Sequence, residues 1–111
     1  MTAALFPDTG REAQLFQRCR NAPMDARISA EDLGAGGAYA ASLAWSGLCA
    51  SGRRPVALAQ ARHLAMEAAD SFIEHTARDR PVDPSDTQAA KRLAETAVGD
   101  ALERDYGNDQ A

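Results

Sequence analysis

Lysine is almost missing from this chain: Lys91 is the only one among 12 basic residues, and the rest are arginine. That bias, together with the abundance of alanine, fits a GC-rich genome. No basic tract and no interleaving of aromatic with basic residues occurs, which disfavours sequence-independent nucleic-acid binding. The net charge is −4, and the last 32 residues, with 4 basic and 7 acidic side chains, supply most of it. Large apolar residues are also scarce. Leu, Ile, Val and Phe number 17 in 111, below the roughly 20% at which disorder becomes a concern. The low net charge and the helical spacing of the alanines argue for folding instead, around a thin core closed by close-packed alanine. Such a core leaves little surplus stability, so burial of further surface in a homo-oligomer or against a partner is expected.

Cysteine is limited to Cys19 and Cys49, with no CxxC. Without a secretory signal these read as reduced core thiols of a cytoplasmic protein. The start, Met1 to Asp8, has neither a basic leader nor a long apolar core. Alternating β-branched residues are lacking throughout, which removes strands, and no solenoid-length repeat is present. Charge itself is missing from one place, Leu33 to Gly52. The segment is about as long as a membrane span, but its five glycines and its serines and tyrosine make it a poor one.

What is present is helical. The composition and length describe a single domain, residues 1–111, with flexible ends at 1–8 and 107–111. The expected fold is all-α, a small bundle of about four helices near 10–21, 30–51, 55–79 and 85–105, around a Gly/Ala-rich central helix. Thr9-Gly-Arg-Glu12 fits a capping box for the first helix, and Asn21-Ala-Pro23 ends it. Ser29-Ala-Glu-Asp32 is a second capping signature, with Glu31 and Asp32 favoured by the helix dipole. On a helical wheel Leu33, Gly36, Gly37, Ala40, Ala44 and Gly47 form one narrow side where another helix can come close. Leu43 and Tyr39 flank it one way, Ala41 and Trp45 the other. The glycines disfavour helix by about 1 kcal/mol each, which makes a loop over Leu33–Gly37 the alternative to the continuous helix expected here.

Gly52 suits the position just past that helix, and Pro55 the first turn of the next. The third helix is the most amphipathic, with Leu58, Ala61, Ala65, Ala68 and Phe72 on its apolar arc. His63, Glu67, Asp70 and Glu74 share the opposite face. Arg80-Pro-Val-Asp-Pro84 is a connector. Ala90, Leu93, Ala97 and Ala101 stripe the fourth helix, with Gly99 as a soft point and Tyr106-Gly107 as its end.

Asp32-Leu-Gly-Ala-Gly-Gly37 resembles the Gly-rich loop of S-adenosylmethionine-dependent methyltransferases over these six residues. That family implies a parallel α/β sheet, with the loop following an apolar strand. Arg27-Ile-Ser-Ala-Glu31 offers one strong apolar residue and the chain is short for such a sheet, so the glycines are read as packing devices. No Gly-Lys-[Ser/Thr] follows for a phosphate loop. The His63 row carries the types needed for metal binding, acid–base work or phosphotransfer, but no second helix supplies matching ligands. Cys19, between Arg18 and Arg20, is the more reactive of the two thiols, and His75 reads as a packed or capping histidine.

No catalytic constellation, cofactor or metal site assembles. The expected function is therefore non-enzymatic: a protein–protein interaction protein, such as a regulator, an adaptor or an inhibitor of the kind carried by phages or mobile elements. Arg53, Arg54, His63, Glu67, Asp70 and Glu74 are the expected partner-binding residues, for a protein partner or a second copy. One alternative is a nucleic-acid-associated regulator using a patch of Arg18, Arg20, Arg27, Arg53 and Arg54. Another is a metal-binding or phosphotransfer bundle using the His63 face.

Overall fold

The computed structural model describes residues 5–78 and 80–109. Among these the chain is all-helical, with α1 Arg11–Asn21, α2 Ala30–Ala50, α3 Leu58–Arg78 and α4 Pro84–Asp109. Residues 1–4 and 110–111, the outer parts of the ends expected to be flexible, lie outside the described residues, as does position 79. The helices alternate in direction, so α2 and α4 run parallel. α2 lies in the middle with α1, α3 and α4 each packed along it, and α3 packs on α4.

Local chemistry explains most helix ends. Ser29 caps α2 as its sequence suggests, its Oγ accepting from the Asp32 amide at 3.1 Å. The expected Thr9 box does not form. Gly10 is the cap residue of α1, with no side-chain hydrogen bond, because a tight turn donates the Gly10 amide to the Pro7 carbonyl at 3.1 Å. Gly52 follows α2 with φ +75°, the left-handed conformation that favours glycine. α3 starts three residues later than expected. Its first backbone bond is from Ala61 to Ala57 at 3.1 Å, since the Pro55 carbonyl accepts instead from the Tyr106 hydroxyl. α4 runs past Gly107, and Gly99 does not soften it. Gly99 is buried, with the Arg62 guanidinium 3.4 Å from where its Cβ would stand.

α2 is a continuous helix through Gly34, Gly36 and Gly37, and tertiary contact explains why. An ideal Cβ at Gly37 would lie 2.8 Å from Ile73 Cδ1, and one at Gly34 would lie 3.0 Å from the Ala90 carbonyl. The glycines let α3 and α4 approach the α2 backbone, and burial of Leu33, Ala38, Ala41 and Trp45 between them outweighs the propensity loss. The small-residue side does not act along its whole length, however. At Gly47 a Cβ would meet nothing within 4 Å among the described residues. The reason is length: α1 has 11 residues and covers about 16 Å at 1.5 Å per residue, roughly half of α2.

Residues 5–8 continue the α1 cover a little further. The Leu5 and Phe6 amides donate to Ser42 Oγ at 3.0 and 3.2 Å, and the Tyr39 hydroxyl donates to Asp8 at 2.9 Å. No helix among the described residues is long and apolar enough to cross a membrane.

Candidate interaction surfaces

The residues expected to meet a partner separate into engaged and exposed groups. Arg54 is engaged. Its guanidinium pairs with Asp105 at 3.2 Å and lies 4.1 Å from the Tyr106 ring centroid and 5.8 Å from that of Trp45. It thus closes the end of the bundle where α2, the α2–α3 turn and α4 meet. Arg53 is exposed, its Nε donating to Ser51 Oγ at 3.0 Å. His63 and Glu67 form an exposed i,i+4 pair at 2.9 Å. Asp70 and Glu74, one and two turns further on, face α4, where Lys91 pairs with Glu74 at 3.0 Å.

Asp70 is half-buried and, among the described residues, one of its carboxylate oxygens meets no donor. Burial holds its carboxyl above the ordinary range; the Lys91 ammonium opposes this, while Glu74 and Glu95 add to it. The row is therefore two surfaces rather than one: a solvated half and a half facing the α3–α4 seam. Among the described residues no group of three or more His, Cys, Asp or Glu side chains is placed to hold a metal ion.

The arginines do not form one patch. Arg18 and Arg27 line a cavity of about 390 Å³ with Asp32, beside the start of α2. Arg53 and Arg54 lie beyond its other end, about 30 Å away for a helix of 21 residues. Cys19, the more reactive candidate of the two thiols by its arginine neighbours, is the core thiol first expected of it. It is 1% exposed, and burial pushes its thiol up to about 11, with Asp32 adding to the shift and Arg80 and Arg18 opposing it. Residues adjacent in sequence on a helix do not face one another, so Arg18 and Arg20 cannot outweigh burial. His75 is exposed rather than packed.

Two surfaces emerge that sequence reasoning missed. The first is the outer face of the second half of α2. Leu43 is 47% exposed, Gly47 and Ala50 are exposed beside it, and Ala40 and Ala44 are half-buried. The helical spacing of these residues was legible, but which half α1 leaves bare was not. The second is a groove between α1 and α3 lined by Phe16, Phe72, Arg20, His75 and Arg80, whose members lie up to 64 positions apart. No protein-family model, curated protein or solved structure matches this chain.

Proposed function

We propose that this chain is a non-catalytic interaction protein of the cytoplasm, which binds another protein chain, a second copy included, through the bare second half of α2. One observation carries the reading: from Leu43 to Ala50 an exposed helix face bears no charge, in a protein with 25% charged residues. Leu43 projects from this face, while one turn on Gly47 leaves the backbone open to approach. A protruding aliphatic beside a flat, small-residue surface is what close helix packing needs. Arg53, exposed just beyond, supplies a polar edge where a partner's carboxylate would be favoured.

Leu43→Asp and Gly47→Arg test this, since both positions are exposed and neither change should alter helicity. Sedimentation of the parent at micromolar concentration, and cross-linking from a photoreactive residue at Ala50 in host extract, are the measurements. Self-association or a specific cross-linked partner, lost in both variants, is the expected result. A parent that sediments as a monomer and gives no adduct dependent on Leu43 would remove the proposal.

A further inference from the structure

The C-terminal parts of α1 and α3 enclose a groove of about 360 Å³. Its floor is apolar. The Phe16 and Phe72 rings stack with centroids 5.0 Å apart and planes at 27°, and Met24, 62% exposed, lines the groove from the α1–α2 loop. Its rim is basic: Arg20, His75 and Arg80 line it, and among the described residues no acidic one does.

Arg80 is held in place by the backbone. Its Nη atoms donate to the Thr76 and Ala22 carbonyls at 3.2 and 2.7 Å. Those neutral acceptors each take an N–H without cancelling the charge, and among the described residues the buried Nε has no acceptor. The Arg20 guanidinium lies 5.5 Å from the Phe16 ring centroid. Among the described residues no carboxylate pairs with Arg20, His75 or Arg80. The cavity on the other side of Cys19 differs, for there Asp32 stands among the arginines.

In a chain of net charge −4, an apolar slot whose charged lining, among the described residues, is basic is complementary to an anion with an apolar body. We propose that this groove binds a small apolar carboxylate, its hydrocarbon part on Phe16, Phe72 and Met24 and its carboxylate toward Arg20 and His75. The volume falls at the lower end of the range of about 300–1,000 Å³ for small-molecule sites. α1, α3 and the α1–α2 loop bound it on three sides, which suits a compact acid rather than an extended peptide. Met24 is flexible enough to close over such a ligand. This site is separate from the bare face of α2 and does not depend on it.

The probe is 1-naphthoate, with uncharged 1-naphthylmethanol as its control, each titrated into the isotopically labelled full chain and followed by NMR. Naphthoate should shift the resonances of Phe16, Met24 and Phe72, and the alcohol should bind about tenfold more weakly. Arg20→Glu, at an exposed position, should weaken naphthoate binding by about tenfold and leave the alcohol unaffected. His75→Glu should act in the same direction, while Leu43→Asp should leave both ligands unchanged. Equal affinity for acid and alcohol would overturn the proposal. So would naphthoate binding that both Glu variants leave intact, or an absence of shifts in the groove at millimolar ligand.

Discussion

Asp70 sits where α3 turns toward α4, and its carboxyl is raised above the ordinary 3.8 chiefly by burial. The unfolded chain therefore gives up this proton at a lower pH than the folded one. Stability falls as pH rises through the interval between the two values, and the ionised group is a net burden at neutral pH. Asp70→Asn should raise the urea midpoint at pH 7, and its advantage should shrink as pH drops below the ordinary carboxylate range. An equal or larger advantage at pH 3 would contradict this. In the sequence Asp70 is one of four polar residues on a solvated-looking face; its distinct behaviour comes first from burial, which Lys91 opposes and Glu74 and Glu95 reinforce. Cys19 makes the same point. Its arginine neighbours make it the more reactive candidate of the two thiols, but the reading as a core thiol holds, and burial makes it a poor nucleophile.

For single helices, local signals succeeded where the groups they involve have no competing partner. Ser29 caps α2 because, among the described residues, nothing else claims its hydroxyl or the Asp32 amide. Thr9 and Pro55 mislead because a turn at Pro7 and the Tyr106 hydroxyl claim the backbone groups first. The α2 glycines sort by the same logic. Gly37→Ala should destabilise by about 1–3 kcal/mol through overpacking against Ile73. Gly34→Ala should act likewise, because there the obstacle includes the Ala90 backbone. Gly47→Ala meets open space and should stabilise the folded monomer by up to about 1 kcal/mol. Urea unfolding of the three variants checks the order, and a stabilising Gly37→Ala would show that the close α2–α3 contact is absent.

At the level of the molecule, α2 links the other three helices, and Trp45 is its fully buried anchor at 0% exposure. The Trp45 ring lies 6.0 Å from that of Tyr106 on α4, beside the closure made by Arg54 and Asp105. If the helices unfold as one cooperative unit, Trp45 fluorescence and helical circular dichroism should give the same urea midpoint. Native Trp45 emission should be blue-shifted and resist acrylamide quenching. Separate midpoints would show that this end opens independently of the rest.

The sequence by itself determined the helical class, the approximate helix limits and the central place of the uncharged segment. These follow from periodicity, proline and glycine placement and capping residues, all of which act over a few positions. Only the tertiary structure decided which half of α2 is covered, which charges are engaged and where basic and aromatic side chains converge. Those outcomes depend on the length of α1 relative to α2 and on contacts such as Arg80 with Ala22 and Arg54 with Tyr106. They join residues 52 to 58 positions apart, and no local pattern encodes them.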